Sequence, residues 1–261
     1  MAVNKVDGAS QSNEAAQRSA LAQWFNSSSG QQLLFLEQQM LAPLLAPIRG
    51  KHLIQIGVTQ DLSLCAASAV QHKVLLVAYQ PRLIAHSMTS YLYAIPELLP
   101  LMTASVDILI LHHSLAYSQH PYQSLLEAQR VLTPGGHLFI VGFNPLSSWG
   151  LWRLLRSQPA SAPWDSHFIS IWQLKRWLDQ LNLAIQQTDF TQYNFPFAKP
   201  QQATKTLLAE RWASRCLTGL GAVYGVYARK QPLAMIPLAK PWQRLTHPKQ
   251  GWASVSQVDK G

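Results

Sequence analysis

Cysteine is nearly absent: Cys65 and Cys216 are 2 in 261 residues. They lie far apart, without a CxxC pair or Cys/His ligand spacing, which argues against a disulfide framework or a zinc site. Long apolar runs are missing as well. A membrane span needs roughly 20 such residues, and the longest candidate, Leu217 to Ala228, is too short and is interrupted by glycine. The first residues, MAVNKVDGASQSNEAAQRSA, lack the apolar segment of a signal peptide, so residues 1–30 read as a polar, flexible tail. Together these absences predict a cytoplasmic protein with no membrane span.

What is present is apolar content of 48%, with a mean hydropathy near zero, ample for a soluble core. The net charge of +9 is placed entirely in one half. Residues 1–150 carry 7 Lys or Arg against 7 Asp or Glu, whereas residues 151–261 carry 14 against 5. Eight of the nine tryptophans also lie beyond residue 148. A basic, tryptophan-rich half suits nucleic acid, whose phosphates attract cations and whose bases stack on indoles. It equally suits anionic lipid. The plainer reading has Trp172 and Trp177 packed under a helix whose Lys and Arg face water.

Apolar residues at Leu33, Leu34, Leu36, Met40, Leu41, Leu44 and Leu45 recur with helical period, predicting an amphipathic helix over residues 31–45. Strands follow at His52 to Val58 and Lys73 to Tyr79, with a helical stretch between them through Val70. A third strand must fit between Pro81 and Ser105. Trp149, Trp152, Arg153 and Arg156 form a short helix or lid. Ser170 and Gln173 form a capping box, Ile169 and Leu174 a hydrophobic staple, and Asn182 suits a left-handed cap. Strands at Ala184 to Phe190 and Val223 to Arg229 flank a basic helix at Thr204 to Cys216. The packed domain is placed at residues 31–231, with a basic extended tail at 232–261.

The clearest unit is Ser105 to Pro145. Asp107 to His113 is a short apolar strand, Pro121 suits a first helical turn, and Leu125, Ala128 and Leu132 keep helical spacing. Pro134, Gly135 and Gly136 end the helix before a second strand, His137 to Phe143. Two parallel strands joined by a crossover helix bring His112, His113, Phe143 and Asn144 to one edge of a sheet, where open α/β sheets bind ligands.

The runs LLPLMTASVDILILHHSLAYSQHP and EAQRVLTPGGHLFIVGFNP resemble the second half of a class I S-adenosylmethionine-dependent methyltransferase. NPLSSWGLWRLLR and FISIWQLKRWL resemble a little-characterised bacterial methyltransferase-like family within that superfamily. The resemblance extends from about Leu33 to Lys230 and is specific in its second half. It implies a Rossmann-like, doubly wound α/β sheet of seven strands with the last antiparallel, S-adenosylmethionine as cofactor, and transfer of its methyl group to an acceptor.

The cofactor half departs from the family pattern. Gly57 matches the first glycine of the loop after strand one, but Thr59 and Asp61 stand at the later glycine positions, and Gln55 replaces an acidic residue. At the end of strand two, where the family places a carboxylate for the ribose hydroxyls, stand Ala78 and Tyr79. Tyr79 offers a hydroxyl or a wall for adenine. Ile95 occupies a third acidic position, with Glu97 two residues on. The candidate cofactor-binding set is therefore Gln55, Gly57, Tyr79 and His112. His112 and His113 are candidate bases at the end of strand four. Neighbouring strand residues point to opposite faces, so only one is expected to meet a ligand, and no metal site is expected. Asn144, Trp149, Trp152 and Arg153 are candidates to touch the acceptor. The competing reading is a non-catalytic methyltransferase-like domain that binds nucleic acid or a protein partner through its basic half.

Overall fold

A computed structural model describes residues 16–57, 62–77, 90–155, 162–193 and 219–232. Its centre is a seven-stranded sheet in the order β3-β2-β1-β4-β5-β7-β6. The strands are β1 (His52–Gly57), β2 (His72–Val77), β3 (Ser90–Tyr93), β4 (Val106–His112), β5 (Leu132–Phe143), β6 (Leu183–Thr191) and β7 (Val223–Lys230). β1 to β5 pair in parallel; β7 runs antiparallel to both β5 and β6. This is the expected doubly wound sheet with its last strand reversed.

Alternation along the central strands sends side chains into two apolar layers. Leu53, Ile108, Ile110, Phe139 and Val141 face the layer covered by helical residues 16–25 (α1), α2 (Ser28–Leu45) and α4 (Ser148–Leu155). Ile54, Ile56, Leu109, Leu111, Leu138 and Ile140 face α3 (Pro121–Val131) and α5 (Ile171–Gln180). Pro121 does open α3, and Ser170 caps α5 by accepting from the Gln173 amide at 3.3 Å. Asn182 takes φ +53°, as its capping role requires.

Three elements differ from expectation. Residues 16–30 are not tail: α1 is helical there, and Leu21 and Phe25 are core residues. The stretch between β1 and β2 holds, among the described residues, only a 3₁₀ turn at Ser63–Cys65. β5 starts at Leu132, so Pro134 to Gly136 lie within the strand, where Gly135 takes φ +79°. The third strand is short because only Tyr91 and Leu92 of SYLY are even partly buried at the sheet's edge. The expected helix at Thr204 to Cys216, Arg156 and the tail at 233–261 lie outside the described residues.

At the amino edge of the sheet, Asp107 fixes the entry to β1. Its Oδ2 accepts from the Lys51 and His52 amides at 2.7 and 3.1 Å. Asp107→Ala strips both donors of their acceptor and is expected to cost about 1–3 kcal/mol in urea unfolding, without touching the opposite edge.

Candidate functional site

Helix α2 carries a charge on its buried side. Glu37 lies four residues from both Leu33 and Leu41, on the stripe that packs against the sheet, and is fully buried. Its carboxylate meets the carboxyl end of β4. Oε2 accepts from His112 Nε2 at 2.9 Å, and Oε1 accepts from His113 Nε2 at 2.7 Å. Both imidazoles are fully buried too.

Two neighbouring histidines converge on one carboxylate because the strand ends between them. His112 follows Ile108 and Ile110 onto the α2 side of the sheet. Regular extension would send His113 to the other side. Instead its backbone turns left-handed, at φ +52°, while its amide still donates to Val141 O at 2.9 Å. The ring swings back beside His112, with centroids 4.6 Å apart, and stacks on Phe143 at 4.1 Å. Phe25 of α1 closes the cluster, 5.2 Å from His112 and 5.6 Å from His113. The expectation that the pair diverges is thus overturned by one backbone angle. A left-handed non-glycine residue costs of order 1 kcal/mol, which surrounding packing offsets.

Electrostatics follow from this enclosure. Burial by itself raises the Glu37 pKa, but the two imidazoles facing it outweigh burial and hold the carboxyl down at about 2. Burial pushes the His113 imidazolium down, favouring the neutral ring, against the pull of Glu37. An ionised carboxylate oxygen facing each Nε2 calls for a proton on that nitrogen, so in the neutral tautomer Nδ1 is the acceptor. Both Nδ1 atoms are therefore acceptors. Among the described residues neither has a hydrogen-bond partner, nor has the buried Ser114 hydroxyl.

Gly57, the last residue of β1, stands opposite His112 in the ladder. A Cβ there would lie 2.8 Å from His112 Cβ and 3.3 Å from its Nδ1. His112 Nδ1 thus lies against a position that has no room for a side chain, at the carboxyl end of β1. The two strand ends approach closely there, and His112 fills the space beside Gly57. The residues that follow, 58–61, and Tyr79 lie outside the described residues. Gln55 is buried, and its Oε1 accepts from Cys65 Sγ at 3.0 Å. Glu97, near the third acidic position, accepts from the Ser118 hydroxyl.

The residues expected to touch the acceptor are placed elsewhere. Asn144 is a turn residue: its Nδ2 donates to Gly219 O and Gly221 O, both at 2.9 Å, and its Oδ1 accepts from the Leu146 amide at 3.1 Å. Trp149 is core, packed edge-on to Trp24 and stacked on Phe143. Trp152 is half-buried against the same layer. Arg153 donates from Nε to Trp164 O at 2.9 Å, with its guanidinium 5.0 Å above the Phe168 ring. The other face of α4 is the open one. Leu151 and Leu154, with Pro145, Leu146, Tyr193 and Leu220, line an apolar cavity of about 510 Å³. Its first residue, Pro145, lies four beyond Val141, the ladder partner of His112.

Tryptophan in the basic half is only partly a surface feature. Trp149 and Trp164 are buried and Trp177 packs beside Tyr122, whereas Trp172, expected under a helix, is 71% exposed.

Residues 54–140, from β1 through most of β5, match the family described as "Methyltransferase domain". An uncharacterised Escherichia coli protein, YafS, is 35% identical over 150 residues, 58% of this chain. That match spans 59% of the relative's own length. Among solved structures, an S-adenosylmethionine-dependent methyltransferase from Archaeoglobus fulgidus superposes with a TM-score of 0.55 at 12% identity, covering 76% of this chain and 93% of its own. The [4+2]-cyclase SpnF superposes with a TM-score of 0.52 at 16% identity, covering 75% and 80%. These likenesses establish the class I methyltransferase fold. Among the described residues, no helix is long and apolar enough to cross a membrane.

Proposed function

From a chain that has the class I methyltransferase fold and a methyltransferase domain over residues 54–140, we propose an S-adenosylmethionine-dependent methyltransferase whose reaction centre lies at the carboxyl edge between β1 and β4. The observation that carries this reading is the pairing of Gly57 with His112 at the carboxyl ends of β1 and β4, where the buried His112 Nδ1 has no hydrogen-bond partner among the described residues. When bound, the cofactor supplies an activated methyl group on sulfur and a neutral leaving group, so the protein's main task is alignment. The Gly57 backbone lets the ligand approach. Tyr79, at the end of the β2 segment, is the proposed contact for ribose or adenine.

His112 is the proposed base. Glu37 holds the proton on Nε2, which leaves the Nδ1 lone pair free to take a proton from an acceptor hydroxyl or amine. His113 secures the second carboxylate oxygen and, stacked on Phe143, fixes the orientation of Glu37. The acceptor is proposed to enter over the apolar cavity on the exposed face of α4 rather than past Asn144 or Trp149.

S-adenosylhomocysteine tests the cofactor assignment without knowledge of the acceptor. A ligand that binds only the folded chain stabilises it by about 2.7 kcal/mol at a hundredfold excess over Kd, read as a rise in Tm. Absence of both a shift and calorimetric heat at millimolar ligand would instead support the non-catalytic reading.

A further inference from the structure

The geometry points to a divalent transition-metal site, of the kind zinc occupies, formed by Nε2 of His112, Nε2 of His113 and both carboxylate oxygens of Glu37. The three side chains are fully buried, and their donor atoms all lie within 4.8 Å of one another. Two imidazole nitrogens and a carboxylate are a zinc donor set, and a carboxylate that chelates through both oxygens makes a four-coordinate site distorted from tetrahedral by its narrow bite. That suits a cluster closed off by Phe25 and Phe143.

The donors already stand nearly at coordination spacing. Bonds of about 2.0–2.2 Å at tetrahedral angles separate neighbouring ligands by roughly 3.4 Å. The present nitrogen-to-oxygen separations are 2.9 and 2.7 Å. Opening them by about half an ångström needs only small rotations of the Glu37 side chain and the two rings. The left-handed turn at His113 is a second, independent pointer. It brings the second nitrogen onto the same carboxylate, where the regular strand would have removed it.

Each ring proton moves from Nε2 to Nδ1, the metal takes the freed Nε2 lone pairs, and the carboxylate charge is shared with the cation. Metal occupancy and the base role of His112 therefore exclude one another: a loaded site carries a proton on His112 Nδ1 beside Gly57. The metal site itself does not depend on the methyltransferase reading.

The test uses the full-length chain, stripped with chelator and titrated with Co²⁺. Expected are one Co²⁺ per chain, the intense visible bands of four-coordinate cobalt, and displacement by one equivalent of Zn²⁺. Glu37→Gln should weaken binding by more than about a hundredfold, since loss of even an outer-shell partner costs 10–100-fold. The stacked surface pair His52 and His72, with ring centroids 5.4 Å apart, is the obvious decoy. His72→Ala should bind as the wild type does. For the wild-type chain, cobalt should broaden the imidazole resonances of His112 and His113 before those of His52 and His72, a result independent of whether any variant folds. No stoichiometric binding, binding lost in His72→Ala, or broadening confined to the surface pair would overturn the site. S-adenosylhomocysteine binding, measured separately, reports on the methyltransferase reading alone.

Discussion

Glu37→Ala should be among the most destabilising single substitutions in the chain, at about 3–5 kcal/mol in urea unfolding. Two buried imidazole N–H donors lose their acceptor, at about 1–3 kcal/mol each, and the deleted side chain leaves space on the packed face of α2. Glu37→Gln should cost less. The amide oxygen accepts from one ring, and its NH₂ donates to the other once that ring switches tautomer. A loss below about 1 kcal/mol for the alanine variant would mean that the cluster contributes little to the fold.

The same cluster sets a pH dependence, measured on chelator-stripped protein. His113 has a depressed pKa in the folded state, so the unfolded chain takes up that proton first. Its contribution is complete above pH 6.5 and falls as the solution is acidified below that value. Glu37, held at about 2 against an ordinary 4.5, adds stability above pH 4.5 that is lost as pH falls toward 2. Both therefore act in the same direction. The Tm should decline in two stages on acidification, and Glu37→Gln should shrink the second, to which Glu127, held down by Arg130, also contributes.

How much of this was legible in the sequence depended on whether the determinant was local. The β4–α3–β5 unit, the Ser170 cap and the left-handed Asn182 were readable because proline, serine and asparagine act on their own few residues. The doubly wound order came with the resemblance in that same region. Glu37 was missed although a signal existed: a carboxylate four residues from Leu33 and from Leu41 breaks an apolar stripe. A charge in such a place needs a buried partner. The turn at His113 had no such signal, since it depends on Phe143 and Glu37 arriving from distant elements. Asn144 and Trp149 were overread for a related reason. Their side chains were available in principle, and only the structure shows Asn144 spent on the turn before β7 and Trp149 on the core.

Gly57→Ala separates folding from ligand binding at the proposed reaction edge. Gly57 does not have a left-handed backbone, so alanine faces a steric problem rather than a torsional one. The new methyl group would lie 2.8 Å from His112 Cβ and 2.9 Å from His112 O. Neither atom can swing aside, because β4 is paired on both edges. Overpacking of this kind costs typically 1–3 kcal/mol. Displacement of His112 also distorts the proposed reaction edge between β1 and β4, so S-adenosylhomocysteine affinity should fall by more than about a hundredfold, roughly 2.7 kcal/mol. His113→Ala is the comparison: it disturbs Glu37 but leaves Gly57 and the end of β1 in place, and should retain the ligand. A Gly57→Ala chain that melts like the wild type and binds S-adenosylhomocysteine equally well would show that the ligand does not approach at β1, and the proposed edge would be wrong.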